Sequence, residues 1–388
     1  MGTSGTPVFA PDYYRDFHCI ADRCRHSCCI GWEIDIDDPS LQRFRAVDGP
    51  LGEKLHANID LSPTPHFTLL GEAERCPFLN EKNLCELILG LGEDSLCDIC
   101  RDHPRFRNFY SDRIEIGLGL CCEEAARLLL LQKHPIQIVE LGRDGGAVDA
   151  SCATSSDASA SATAKCADVQ VASTGADTIM TATEQAFFTW RSYLFDIVFD
   201  PHLTRSEKWL KLKGSEAPLF TSADLVDFGT FLMTLERLDP SWDLELQRLQ
   251  RPVTDTEIST FETFMESTGR QTEYDVLLWY FLFRHLPDGQ AYDTSEEEVS
   301  SFDPYADPAQ DSAQDSAQDP AQDPELHIRV LFAIAGVTTL LYLGAAHYRE
   351  TGNFTLDDQV ELVRMYSSEI EYSDENVEKI LDYLDSKM

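Results

Sequence analysis

Residues 330–346 read VLFAIAGVTTLLYLGAA, seventeen consecutive positions without a charge. A membrane-spanning helix needs about 20 such residues. This run is shorter, holds two Thr and two Gly, and has polar sequence crowding both ends. It reads as a buried core helix and no membrane partner is expected. Working outward, residues 274–286 (YDVLLWYFLFRHL) are apolar nearly all round, as in a helix central to a bundle. Residues 184–199 (EQAFFTWRSYLFDIVF) place Phe187, Trp190, Tyr193 or Leu194, and Ile197 on one face at three- and four-residue spacing. Thr355-Leu-Asp-Asp358 reads as an N-terminal cap for the apolar run that follows, and a last helix is expected from about 375 to 386. The fold class is therefore mainly α, with a helical domain over 182–388.

Two low-complexity stretches punctuate the chain. Residues 142–181 are almost free of large apolar side chains and cannot offset the entropy of ordering, so they read as a disordered linker. A four-residue Asp-Pro/Ser-Ala-Gln repeat begins at Asp307, Asp311, Asp315 and Asp319 and ends at Asp323-Pro324. Its prolines and its row of carboxylates oppose a helix, so a solvated, disordered insertion is expected at about 303–324.

The chain has 388 residues, with 68 acidic against 31 basic side chains and a net charge of −37. A duplex nucleic-acid binder needs clustered Lys and Arg, so nucleic acid is excluded as the expected partner, whereas a lysine-rich protein surface suits this charge. Hydrophobic residues at 43% are enough to build a core, which excludes a disordered polyanion.

Of twelve cysteines, ten fall between Cys19 and Cys122, in a module expected over 11–141. They form the groups Cys19-x4-Cys24-x3-Cys28-Cys29, then Cys76 and Cys85 with Cys97-x2-Cys100, then Cys121-Cys122. A disulfide scaffold belongs to short secreted chains. The N-terminal sequence shows no basic segment followed by an apolar one, so a cytoplasmic location is expected. Clustered thiolates in that setting are ligands for zinc or an iron–sulfur cluster, with irregular backbone pinned by the metal. Adjacent Cys28 and Cys29 should point apart in a helix or strand, so one of them is expected to face a second site or only to pack. The first group is not a Cys-x3-Cys-x2-Cys triad, because Gly31 occupies the third position. His18, His26 and His103, beside cysteines, read as packing or supporting groups. Within the module, 41–47 and 84–91 suggest short helices, 113–120 (RIEIGLGL) alternates as a strand does, and Cys121-Cys122-Glu-Glu opens a helix through Leu131.

These residues carry a resemblance. Residues 11–37 (PDYYRDFHCIADRCRHSCCIGWEIDID), 75–105 (RCPFLNEKNLCELILGLGEDSLCDICRDHPR) and 117–130 (GLGLCCEEAARLLL) resemble the cysteine blocks of bacterial flagellin lysine-N-methylases. More distantly, they resemble zinc- or iron-chelating cysteine-cluster proteins. The pattern carries to Cys19, Cys24, Cys28, Cys29, Cys76, Cys85, Cys100 and Cys122 as metal ligands. Cys97 and Cys121 occupy positions where a small residue is expected, and Cys152 and Cys166 match nothing.

The resemblance implies methyl transfer from S-adenosylmethionine to lysines of flagellin or a flagellin-like protein, with a [4Fe–4S] cluster as cofactor and zinc as the alternative. Trp32, Arg101 and Arg105 lie beside candidate ligands and are candidates for cofactor binding. No strand, Gly-rich turn and helix marks a doubly wound cofactor domain. The alternative from a different class is a non-catalytic zinc- or iron-binding cysteine-cluster protein.

Overall fold

The computed structural model describes residues 5–31, 33–71, 74–143, 180–214, 219–286 and 319–387. Most of the expected linker and most of the expected insertion, with Cys152 and Cys166, lie outside the described residues.

The uncharged run becomes the axis of the molecule. It lies within a 28-residue helix, Pro324–Thr351, whose most apolar 18-residue window is 89% buried inside the protein. By length and composition alone this helix could cross a membrane; here its neighbours are other helices of the same chain. It starts where the Asp-rich repeat ends, because the Asp323 carboxylate accepts from the Glu325 and Leu326 N–H groups and Pro324 takes the first turn. The tail of the repeat is thus structured: Asp319 caps a short 3-10 turn, Pro320–Gln322. Buried Thr338 and Thr339 return their hydroxyl protons to the Ile334 and Ala335 carbonyls, at 2.6 and 2.8 Å, so they enter the core without an unmade bond. Gly344 is required by close approach, since a Cβ there would stand 2.7 Å from the Tyr274 hydroxyl and 3.0 Å from the Phe261 ring.

In chain order the helices are α1 (Asp38–Arg45), α2 (Gly49–Ala57), α3 (Glu86–Leu91), α4 (Asp98–Asp102), α5 (Glu123–Leu130), α6 (Ala182–Phe199) and α7 (Arg205–Lys213). There follow α8 (Ser222–Leu232), α9 (Ser241–Leu249), α10 (Asp255–Ser267), α11 (Glu273–His285), α12 (Pro324–Thr351), α13 (Leu356–Tyr366) and α14 (Asp374–Asp385). Helix α12 packs against α7, α9, α10, α11, α13 and α14. Five helices, α6, α7, α8, α10 and α13, begin with a reciprocal capping box of Thr and Glu or Asp. On α6, Leu194 and Ile197 are buried while Tyr193 faces outward, which settles the choice left open by the spacing. A π-helical turn, Ser367–Glu371, joins α13 to α14.

A small sheet accompanies the helices. Its strands are β1 (Pro7–Pro11), β4 (Arg105–Phe109), β5 (Ile114–Leu118) and β6 (Ile138–Arg143), in the order β4-β5-β1-β6. Only the β1–β5 pairing is parallel. Two short strands, β2 (Ile59–Asp60) and β3 (His66–Phe67), form a separate pair. The larger sheet is pinned to α6 by a buried bidentate pair, in which Arg191 donates to both Glu115 oxygens at 2.7 Å among the rings of Phe187, Phe188, Phe195 and Phe283.

Two hydrophobic cores are present among the described residues. A large core unites the helices from α6 onward with Tyr13, Leu118, Leu120, α5 and Ile136. A small core, built on Ile34, Phe44, Leu55, Phe67, Phe78 and Leu87, holds Cys76 and Cys97. Leu118, Leu120 and α5 pack with the helical body, while the stretch from about Cys29 to Cys100, with its short helices α1–α4, packs around the small core. Composition hid β1 and β4, because β1 carries two prolines and β4 three polar residues.

Candidate metal centre

Five cysteines converge on the small core. Cys76 and Cys97 are buried in it, and Cys29, Cys85 and Cys100 pack against it. The Cys76 N–H donates to the Cys29 carbonyl at 2.9 Å, pairing the first cysteine segment with the second. Leu79 bridges to Cys85, which brings the residue ahead of α3 back over Cys76. Cys97 and Cys100 lie one helical turn apart with their thiols hydrogen-bonded; the pairing lowers the Cys97 thiol and raises that of Cys100. Charge on Cys29 and Cys76 raises the Cys100 thiol further. Burial pushes the Cys76 thiol up to about 11 and raises that of Cys85, whose sulfur takes hydrogen bonds from the Ile88 and Leu87 N–H groups.

The remaining thiols lie at the junction with the helical body. Glu123, at the start of α5 and 4% exposed, accepts from the Arg25 backbone N–H at 2.9 Å and from Arg25 Nε at 3.0 Å. The Cys24 Sγ lies 3.8 Å from the same carboxylate. The clamp holds the Cys24 segment at the start of α5, where Cys122 immediately precedes Glu123. A second tie runs from His26 Nε2 to Glu361 of α13, at 2.5 Å. Burial opposes ionisation of Glu361, but hydrogen bonds from His26 and Arg364 outweigh it and hold the carboxyl down at about 2. Burial pushes Cys24 up to about 11 and both Cys121 and Cys122 up to about 12. Cys121 Sγ stands 3.9 Å from His103 Nε2 and hydrogen-bonds the Tyr372 hydroxyl. Burial pushes His103 down to about 4, so its imidazole is neutral at pH 7.

Cys28 lies between the two groups. Its thiol hydrogen-bonds that of Cys29, which draws it down to about 7, and its charge acts on Cys85, Cys121 and Cys122. The expectation that Cys28 and Cys29 point apart rested on regular backbone; the segment is a bend, neither helix nor strand, and the two sulfurs meet. Cys19 is exposed, with Cys24 as its thiol neighbour.

All ten described cysteines are free thiols. Among the described residues, no three His, Cys, Asp or Glu side chains stand close enough together to hold a metal ion as they are arranged. The donor chemistry fits a thiolate-bound metal. Burial holds the Cys24, Cys76, Cys85, Cys121 and Cys122 thiols protonated, and a cation set among them would oppose that penalty.

Of the residues expected to bind cofactor, Trp32 lies outside the described residues. Arg101 pairs with Asp98 within α4. Arg105 donates to the Tyr14 hydroxyl at 2.9 Å and lies over the Tyr14 and Phe17 rings. Sequence reasoning missed Glu123, Glu361 and Tyr372. Glu123 was visible as the acid after Cys121-Cys122, but there it reads as an ordinary helix opener; the other two lie more than 200 residues away in sequence.

Comparison with known proteins gives a partial similarity. Over 129 residues, 32% of this chain, it is 28% identical to the flagellar biosynthetic protein FliU of Salmonella muenchen, covering 76% of that protein. The similarity also runs to lysine-N-methylases. Those of Salmonella choleraesuis and Salmonella typhimurium are 26% and 27% identical over 129 residues, 32% of this chain and 32% of each methylase. This chain thus spans about a third of the length of the methylases it matches. No protein-family model matches the chain, and no solved structure does.

Proposed function

We propose that the protein is a cytoplasmic protein-lysine N-methyltransferase acting on flagellin or a flagellin-like protein. S-adenosylmethionine is the methyl donor, and a [4Fe–4S] cluster is held by the cysteines. The observation that carries this reading is the pairing of ten clustered free thiols with similarity to proteins named lysine-N-methylase and FliU. A [4Fe–4S] cluster takes four thiolates. Its candidate ligands are Cys19, Cys24, Cys28, Cys29, Cys76, Cys85, Cys100 and Cys122, to which the burial of Cys97 adds one more.

A lysine ε-ammonium has no lone pair, so it must lose a proton before its nitrogen attacks the methyl sulfonium; the sulfur then leaves as a neutral thioether. When bound, the cluster supplies a rigid, charged organiser of the surrounding segments. The chain's own residues do the rest. The Glu123 and Glu361 clamps fix the first cysteine segment against α5 and α13, and the net charge of −37 favours approach of a lysine-bearing protein.

The test is anaerobic purification followed by iron and sulfide analysis, then coexpression with flagellin and peptide mapping of its lysines. Bound cluster with methylated lysines is expected. Absence of both iron and inorganic sulfide overturns the cluster, and bound iron without methylated lysine favours the non-catalytic metal protein.

A further inference from the structure

We infer that the groove between α6 and the 3-10 turn Pro320–Gln322 docks a lysine side chain on a cationic segment of a partner protein. The inference deepens the functional proposal and rests on it for the partner's identity, the protein substrate; the binding itself needs no methyl transfer.

The groove is an open cavity of about 530 Å³. One wall comes from α6, where Ala186, Trp190 and Tyr193 fall on one face at four- and three-residue spacing. The other wall is Asp319 and Pro320, whose turn packs against α6. Tyr193 is 60% exposed and Trp190 half-buried, so two aromatic side chains border the cavity and reach solvent. The Asp319 carboxylate accepts from the Ala321 N–H and from Gln322 Nε2, both at 3.1 Å. Both donors are neutral, and among the described residues no Lys, Arg or His pairs with this carboxylate, so its charge is uncompensated. A carboxylate offers about four lone-pair sites, which leaves room for a further donor.

Two features select a lysine. An ammonium gains from aromatic faces and from a carboxylate together, and its alkyl stem can lie along apolar surface such as Ala186 and Pro320. The chain that leads into the groove also carries charge of one sign. Residues 287–318 hold nine Asp or Glu and no Lys, Arg or His, and Asp319 ends the four-residue Asp repeat. The repeat, which has no part in the transfer chemistry, thereby attracts a cationic segment and repels an acidic one.

The groove is a handle for the partner rather than the place of reaction. The start of α6 meets the sheet at the β4–β5 turn, where Glu184 accepts from the Ser111 N–H at 2.8 Å. Cys121 and Cys122 follow the opposite end of β5. A lysine held in the groove is therefore a different one from the lysine that reaches the cysteines.

Isothermal titration calorimetry of the full chain at physiological ionic strength tests this, with a synthetic peptide of lysines spaced by glycine and serine. The same peptide acetylated on every lysine is the comparison. Saturable binding of the lysine peptide is expected, with loss of binding on acetylation. Trp190→Ala and Asp319→Asn should each weaken it by about fivefold. Thr189→Lys, at an exposed position on the groove wall, sets a cation in the site and should remove binding while leaving the thermal melt unchanged. Equal affinity of wild type, Asp319→Asn and Thr189→Lys overturns the inference even if Trp190→Ala fails to fold, because net charge alone would then account for binding. Equal affinity for the acetylated peptide, or no binding by wild type, overturns it as well. Flagellin methylated by a wild type that binds no peptide would overturn the groove and leave the functional proposal standing. Peptide binding that Thr189→Lys removes, in a protein that methylates nothing, would do the reverse.

Discussion

Replacing Glu123 by Ala tests the clamp that joins the cysteine segment to the helical body. The carboxylate is 4% exposed, whereas the Arg25 side chain it meets is 45% exposed. The two bonds to Arg25 therefore differ in weight. The side-chain pair is half solvated and screened, worth about 0.5–1 kcal/mol. The backbone N–H of Arg25, at 2.9 Å, loses its acceptor in a partly buried place, which costs about 1–3 kcal/mol. With the Arg127 contact at 3.5 Å also gone, Glu123→Ala should destabilise by about 3 kcal/mol. At roughly 2 °C per kcal/mol for a chain this large, Tm should fall by about 6 °C. Glu123→Gln keeps an acceptor for the N–H and should lose only about 1 kcal/mol, as should Arg25→Ala. Urea unfolding and thermal melts of the three variants, with iron content measured in parallel, decide the matter. Equal stability of Glu123→Ala and Glu123→Gln would refute the reasoning, because it would mean the buried N–H contact carries no weight.

Three further outcomes are expected. Arg191→Met strands the Glu115 carboxylate in an aromatic core and should cost about 3–5 kcal/mol by denaturant unfolding, while the double variant Arg191→Met/Glu115→Gln recovers part of that. Acid should release the cysteine segment: the Glu361 carboxyl sits at about 2, below its unfolded value near 4.3, so its stabilisation is complete above that value and is lost as pH falls toward 2. Pepsin cleavage within residues 13–30, rising across that window, reads this out, and Glu361→Gln should weaken the dependence while leaving the part that Glu123 contributes. Gly119→Ala places a Cβ 2.0 Å from the Tyr372 hydroxyl and must push that ring off Cys121, so Cys121 should alkylate faster in site-resolved thiol labelling.

The sequence was most legible where one periodicity dominated. The apolar run at 330–346, the run at 274–286 and the Thr355 cap each became the expected helix or cap, because their burial and capping are written in consecutive residues. The strand at 114–118 and the helix after Cys122 were likewise readable from local alternation and a turn. The four-stranded sheet was not. Its β1–β5 pairing joins positions more than 100 residues apart, and Pro7 and Pro11 flank an edge-like segment that no short-range pattern marks. The same limit applies to the site. Cysteine spacing marked the cysteines but not how they distribute around the small core and the junction with the helical body, where Glu123 and Glu361 tie the first segment. Cys97 was discounted because a small residue was expected there, yet it is among the most buried side chains of the small core.

The direct measurement of methyl transfer incubates the anaerobically purified chain with methyl-labelled S-adenosylmethionine and purified flagellin, and locates the label by mass spectrometry. Label is expected on flagellin lysine side chains with wild-type protein and is expected to be lost with Cys28→Ser. Unlabelled flagellin, in the presence of a wild-type protein that carries its full iron and sulfide, would contradict methyl transfer to lysine.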